Sequence, residues 1–116
     1  MSRDIDADTY PVITSGDIDA TIKERSSRYG DFTDEAVIAM ALKNALRYQW
    51  SDDLQSLSAR DGWVRLEPYQ QHALELICLK MARIINGDPN YVDSWHDVAG
   101  YAKLVEDRLV KYGTGK

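Results

Sequence analysis

The chain has 116 residues, and its 44% hydrophobic and 28% charged content is typical of a globular protein with one domain and a core of its own. The net charge of −5 excludes the broad basic surface that duplex DNA binding needs, because residues 1–19 hold five Asp and one Arg while the rest is near neutral. The single Cys78 rules out an internal disulfide, and no apolar stretch approaches the ~20 residues that span a bilayer, so we expect a cytoplasmic protein without a membrane segment.

The N-terminal part of the chain is predicted to be an arm followed by a helix. Residues 1–16 lack helical periodicity and carry Pro11 and Gly16, which predicts an irregular acidic arm. The first helix is predicted over residues 17–28, and its thin apolar stripe means that packing on neighbours must stabilise it. Gly30 then suits the left-handed position that ends many helices.

The second predicted helix is the most apolar one. It runs from about Thr33, as N-cap, to Tyr48. Apolar residues occupy most of its circumference, which predicts a central, buried helix. A short helix is predicted next, over residues 51–57, and the weak alternation of residues 63–66 favours an extended segment.

The third and fourth predicted helices form an antiparallel pair. Pro68 suits the first position of the third helix, whose apolar residues recur at three- and four-residue spacing up to the stop at Gly87. The fourth helix is predicted from Tyr91 to Tyr112. Gly100 in its middle costs on the order of 1 kcal/mol against Ala. A close approach by a neighbouring helix or a ligand would explain that glycine.

Together these elements predict an all-α fold, a four-helix bundle-like single domain over residues 17–112. Residues 113–116 are predicted to be a frayed tail. The three Pro and seven Gly lie mostly where helices would start or stop, which supports this division.

Charged groups that could carry chemistry are concentrated on the third and fourth helices. An antiparallel pair brings Lys80 and Arg83 opposite Asp93 and Asp97, while Glu75 lies about two turns farther from the connection. One interpretation is an interhelical ion pair of Lys80 or Arg83 with Asp93 or Asp97. The other is a Mg²⁺–phosphate site, since Mg²⁺ prefers carboxylates, water and phosphate oxygens, and Lys and Arg bind phosphate.

Other reactive residue types have simpler interpretations. His96 precedes Asp97 but points about 100° away from it on a helix, so the two do not form a dyad, and an exposed His is expected. Cys78 lies in an apolar run and is predicted to be a small buried hydrophobe. The sequence has no Cys/His spacing for zinc, no P-loop and no dinucleotide fingerprint.

Two signatures carry a family resemblance. They are RYGDF at residues 28–32 and K-x-x-R-I-x-N-G-D-P-x-x-x-D-S-W-x-D-x-A-G-Y-A at residues 80–102. Together they resemble a family of small, largely uncharacterised proteins encoded by tailed phages and prophages, over residues 18–110. This resemblance implies the cytoplasm of an infected bacterial host as the location.

The segment from Asp97 to Ala102 also resembles the all-α nucleotide pyrophosphohydrolases, the MazG-like and dimeric dUTPase group. Those enzymes hold Mg²⁺ with an E-x-x-E pair on one helix and an E-x-x-D pair on the next. Here the acid before Asp97 is Asp93, four residues back, and the upstream helix offers His72 and Glu75 where two Glu are expected. The resemblance implies a homodimer. It also implies metal ligands at Glu75, Asp93 and Asp97, with phosphate-binding residues at Lys80 and Arg83.

Two functions follow as expectations. The first is a Mg²⁺-dependent enzyme that cleaves nucleoside triphosphates and so controls nucleotide pools. The alternative, suggested by the acidic arm, the incomplete metal pattern and the many aromatic residues, is a non-catalytic phage accessory protein that binds a host or phage protein. A nucleotide- or nucleic-acid-binding module without chemistry ranks third, because the body of the chain is near neutral.

Overall fold

The computed structural model describes residues 15–113, which form five helices and one small sheet. In chain order the elements are α1 (Ser15–Tyr29), α2 (Phe32–Arg47), β1 (Tyr48–Ser51), β2 (Ser56–Ala59), α3 (Asp61–Val64), α4 (Pro68–Asn86) and α5 (Val92–Tyr112). The predicted arm lies outside the described residues except for Ser15 and Gly16, which begin α1. None of the helices in the described part of the chain is long and apolar enough to cross a membrane.

Helix α4 is the centre of the fold. It packs against α5 along one side and against α2 along the other, and α1 packs more lightly on α2 and α4. Its buried residues form two lines that match these neighbours: Ala73 and Ile84 in one, Cys78 and Ala82 in the other. The mostly helical fold is therefore confirmed. The four-helix bundle is not confirmed, because three helices form a layer and α1 adds to one side of it.

Helix α2 is not the central helix that its composition predicted. Glu35 and Ala39 are its buried residues, whereas Val37 is 66% exposed and Met40 is 48% exposed. It has a long packed helical neighbour on one side only, so its apolar circumference is half uncovered. Its N-cap is Asp31 rather than Thr33, and the Asp31 carboxylate accepts a hydrogen bond of 3.2 Å from the backbone N–H of Asp34.

The predicted short helix over residues 51–57 is wrong, because this segment holds the end of β1, the turn of a β-hairpin and the start of β2. Strands β1 and β2 pair antiparallel, with Ser51 opposite Ser56. The hydroxyl of Ser51 accepts a 3.3 Å hydrogen bond from the backbone N–H of Leu54, which closes the turn. Gln55 has a φ of 51°, in the left-handed region, and this conformation is incompatible with a continuing helix.

The long C-terminal helices are close to their predicted bounds. Helix α4 begins at Pro68, and its end before Gly87 is confirmed. Among the described residues no neighbouring helix approaches Gly100, where a Cβ would meet nothing within 4 Å, so that explanation of the glycine is wrong and the ligand alternative stays a prediction. The prediction of an extended segment over residues 63–66 is wrong in its first half, because α3 spans Asp61–Val64 and so includes the first two of these residues. Cys78 is buried, as predicted, and burial raises the pKa of its thiol.

Candidate functional site

The two sequence signatures, separated by about fifty residues of chain, lie against each other in the fold. The side-chain amide of Asn86, at the end of α4, donates hydrogen bonds to the backbone oxygens of Tyr29 (2.8 Å) and Asp31 (2.9 Å). The backbone N–H of Asp88 donates to the backbone oxygen of Arg28 at 2.7 Å. We call this contact between residues 28–31 and residues 86–88 the junction. It fixes the end of α1 and the start of α2 onto the end of α4.

Two glycines make the junction possible. Gly30 has a φ of +78°, and a Cβ there would lie 2.2 Å from the backbone oxygen of Asn86. A Cβ at Gly87 would lie 2.0 Å from the backbone oxygen of Arg28. Gly30 therefore serves both the predicted left-handed conformation and the close approach. Gly87 has a φ of −127°, so close approach alone requires glycine there.

Aromatic rings and guanidinium groups alternate along the junction. The Arg83 guanidinium lies 4.4 Å from the centre of the Tyr29 ring, and that of Arg25 lies 5.7 Å from the same ring. Tyr29 makes an edge-to-face contact with Tyr91, with ring centres 6.1 Å apart. Arg28 covers the Tyr91 ring at 5.0 Å and donates a 3.0 Å hydrogen bond to its hydroxyl. Contacts of these kinds each contribute about 0.5–2 kcal/mol.

A buried ion pair lies next to these rings. Arg83 Nε is 3.5 Å from Glu35 Oε2; Glu35 is 6% exposed and the Arg83 side chain 14%. That separation is at the limit of a hydrogen bond, and within the described part of the chain Nε has no hydrogen-bond partner. A buried donor without an acceptor costs about 1–3 kcal/mol. The ion pair therefore leaves the Nε–H donor of Arg83 without a hydrogen bond.

A cavity of about 360 Å³ opens beside the junction. Its volume falls within the range of small-molecule sites, and its walls are mostly apolar. The charged residues among those that line it are Arg25, Arg83 and Glu35, two positive and one negative, while the surface exposed to the cavity is almost entirely apolar. Phe32, at 77% exposure, is the most exposed aromatic side chain on its wall. The lining residues are Ile22, Arg25, Ser26, Tyr29, Gly30, Phe32, Glu35 and Arg83.

The predicted phosphate-binding residues, Lys80 and Arg83, point to different neighbours. Lys80 Nζ lies 2.8 Å from Asp97 Oδ2, an ion pair between α4 and α5 that confirms the ion-pair interpretation for this lysine. The hydrogen bond from Lys80 lowers the pKa of Asp97 below its ordinary value, against the opposing effect of desolvation. Arg83 pairs instead with Glu35 on α2, so it belongs to the cavity and not to the α4–α5 ion pair.

The predicted metal ligands also have separate partners. Glu75 forms an ion pair with Arg47 of α2. Asp93 accepts a 3.1 Å hydrogen bond from the hydroxyl of Tyr91, whose pKa is raised by desolvation and then by this bond. Among the described residues, no group of three or more His, Cys, Asp or Glu side chains is placed to hold a metal ion. Glu75, Asp93 and Asp97 thus have three different partners in the structure, and a Mg²⁺ ion shared between them stays a prediction.

The sequence interpretation did not include several residues of the site. Arg28 and Tyr29 belong to the RYGDF signature, but the sequence suggested no role for either residue. Glu35 could have been found from its spacing, because it lies in line with Ala39, Leu42 and Leu46 on the packed side of a helix. An acidic residue in such a line predicts a buried cationic partner. Arg25 and Tyr91 carried no comparable signal.

Comparison with known proteins gives a family but no described activity. A family model matches residues 17–109, and its description is a domain of unknown function (DUF6378). The searches of curated proteins and of solved structures found no match. The matched residues include the junction, the cavity and the ion pair between α4 and α5.

Proposed function

The chain belongs to the DUF6378 family, and from the cavity beside the junction we propose that it is a binding protein for a small organic anion, with nucleotides as the predicted class. The observation that carries this proposal is the composition of the cavity wall. Two positively charged residues, Arg25 and Arg83, and one acidic residue, Glu35, line the cavity, and its surface is otherwise apolar and aromatic. An anionic group with a flat or apolar body matches both properties.

The two parts of such a ligand have separate places in this proposal. Phosphate oxygens bind Arg25 and Arg83, because a guanidinium presents paired N–H donors that suit phosphate geometry. The base contacts the exposed ring of Phe32 and the side chain of Ile22, since a flat apolar surface stacks on an aromatic ring. The junction holds these residues in place before the ligand arrives, which limits the entropic cost of binding.

The test is a calorimetric titration of the full chain with nucleoside mono-, di- and triphosphates. Nucleosides and inorganic phosphate serve as comparison ligands, because each carries only one part of the proposed ligand. Arg25→Ala is expected to weaken binding about tenfold to hundredfold, the effect of removing a charge-assisted hydrogen bond. Lys23→Ala is the matched control, since it removes a positive charge from the same helix without altering the cavity wall.

Two results would contradict the proposal. The first is the absence of binding by every nucleotide at millimolar concentration. The second is equal weakening by Arg25→Ala and Lys23→Ala, which would indicate a general charge effect and not a site.

Nucleotide hydrolysis and a phage accessory role stay predictions from resemblance. Hydrolysis requires Mg²⁺, and the separate partners of Glu75, Asp93 and Asp97 give no support for a shared ion in one chain. Repeating the titration with Mg²⁺ and analysing for monophosphate or pyrophosphate separates binding from cleavage. Binding of a host or phage protein is compatible with the same fold, but no described surface favours it over the cavity.

A further inference from the structure

The end of the molecule away from the junction carries a second hollow, of about 320 Å³, between the start of α4 and the end of α5. Its walls are mostly polar, in contrast to the apolar walls of the cavity beside the junction. Tyr69, which lines it, lies about 21 Å along α4 from Arg83, so the two sites are separate. We call this site, formed by Arg65, Glu67, Tyr69, Gln70, Arg108 and Tyr112, the polar hollow.

Arg108 of α5 contacts both aromatic rings of the polar hollow. Its guanidinium carbon lies 4.8 Å from the centre of the Tyr69 ring and 5.0 Å from the centre of the Tyr112 ring. The face of an aromatic ring attracts the cation but offers it no oxygen acceptor, so the N–H donors of the guanidinium stay available for a ligand. The two rings also restrict the orientation of Arg108 in advance, which limits the entropy lost when it binds.

The two arginines of the polar hollow differ from several others in the chain by having no acidic partner. Arg28, Arg47 and Arg83 each form an ion pair with a carboxylate. Within residues 15–113, no ion pair involves Arg65 or Arg108. Their positive charges are therefore not neutralised by a direct partner in the described part of the chain.

The charges around the polar hollow favour a doubly negative ligand group. Lys111 adds a third positive charge at its edge, with Nζ 5.3 Å from the centre of the Tyr112 ring. Glu67 is the acidic residue among those that line the hollow. Three cations and one carboxylate leave an excess of two positive charges, and a phosphate monoester carries about −1.5 to −2 charges at neutral pH.

From this arrangement we infer that the polar hollow binds a small phosphate monoester with a hydroxylated body, such as a sugar phosphate. Arg65 and Arg108 bind the phosphate oxygens, because guanidinium donors suit phosphate geometry. The side-chain oxygen of Gln70 accepts a 2.9 Å hydrogen bond from the backbone N–H of Glu67, which leaves the amide N–H donors of Gln70 for ligand hydroxyl groups. Polar walls suit a hydroxylated body better than the flat apolar base proposed for the cavity.

The inference is tested by calorimetric titration of the full chain with glucose 6-phosphate and ribose 5-phosphate. At least one of them is expected to bind, inorganic phosphate more weakly, and glucose and ribose not at all. Arg108→Ala should weaken binding about tenfold to hundredfold, the effect of removing a charge-assisted hydrogen bond. Lys103→Ala is the matched control, because it removes a positive charge from the same helix outside the hollow, where Lys103 pairs with Asp107.

A variant with the opposite expected effect covers the case in which Arg108→Ala disturbs the fold. Glu67→Gln removes the carboxylate that repels phosphate, so it should strengthen binding of the sugar phosphate severalfold. Glu106→Gln removes a negative charge from α5 outside the hollow and should leave the affinity as in wild type. Equal effects of these two variants would count against a site at the hollow.

Two further results would overturn the inference. One is the absence of binding by either sugar phosphate at millimolar concentration. The other is weakening of sugar phosphate binding by Arg25→Ala and not by Arg108→Ala, which would place that ligand in the cavity beside the junction. Because the two sites share no residue, failure of nucleotide binding at the cavity and failure of sugar phosphate binding at the polar hollow are distinguishable.

Discussion

At the scale of single residues, the junction depends on two positions where a side chain has no room. Gly30 and Gly87 allow two backbone segments to approach until their own hydrogen bonds form. The nearest atom at each position is a backbone oxygen, of Asn86 and of Arg28 respectively, which cannot rotate away as a flexible side chain would. The glycines therefore determine whether the cavity wall is assembled at all.

Gly87→Ala is expected to destabilise the protein by about 1–3 kcal/mol or more, because the added methyl group must displace the backbone of Arg28 and Tyr29. The free energy of unfolding in urea measures this effect. Gly62→Ala is the control, since a Cβ there meets nothing within 4 Å. Equal stability of Gly87→Ala and wild type would show that the junction is not tightly packed.

The ion pair of Lys80 and Asp97 predicts a dependence of stability on pH. The pKa of Asp97 is lowered in the folded state, from an ordinary value of 3.8, so the folded state binds its proton less tightly than the unfolded state. Its contribution is present in full above that ordinary value and is lost as the pH falls through the lowered one. Stability should therefore decrease in acid over this range.

Two variants test whether the ion pair of Lys80 and Asp97 causes this decrease of stability in acid. Asp97→Asn removes the titrating group, and Lys80→Met removes its partner, so both should flatten the same part of a plot of unfolding free energy against pH. Urea unfolding from neutral pH down to about pH 2 supplies the plot, which covers the range of an unperturbed and a lowered Asp pKa. If both variants lose stability in acid as wild type does, the ion pair is not the cause of that loss.

At the scale of elements, local sequence signals determine where a helix begins and ends, whereas the elements packed against a helix determine how much of it is buried. Pro68 and Gly30 determine where helices begin and end, because they act on the backbone of a few adjacent residues. Burial of a helix depends instead on what packs against it. For this reason α2 is half exposed despite its apolar composition. The hairpin of β1 and β2 likewise occupies a segment whose sequence alone suggested the capped start of a helix.

Gly100 offers a prediction about α5 alone. It lies in mid-helix on an exposed side, with open space where a Cβ would be. Gly100→Ala should therefore stabilise the protein by about 0.5–1 kcal/mol, the difference in helix propensity. The midpoint of thermal unfolding should rise, and nucleotide binding should be unaffected. A lower midpoint would indicate a neighbour on this side of α5.

At the scale of the whole molecule, the layer of α2, α4 and α5 has two sides with different chemistry. Helix α1 and the charged residues around Arg83 lie on one side, and the exposed apolar residues Leu74, Met81 and Ile85 of α4 lie on the other. Since Arg83 and Met81 differ by only two positions in α4, one helix carries the proposed ligand site on one side and exposed apolar residues on the other. Changes on one side can thus be compared with matched changes on the other.

The sequence by itself determined the four long helices, because caps, stops and apolar spacing act through the backbone of neighbouring residues. It also predicted two alternatives for Lys80, an interhelical ion pair or a place in a Mg²⁺–phosphate site. The structure contains the ion pair with Asp97. Only the tertiary structure decided that Lys80 and Arg83, three residues apart, have different partners. The reason is that α5 packs on one side of α4 while α1 and α2 supply the surroundings of Arg83, and this choice depends on long-range packing that helical periodicity does not encode.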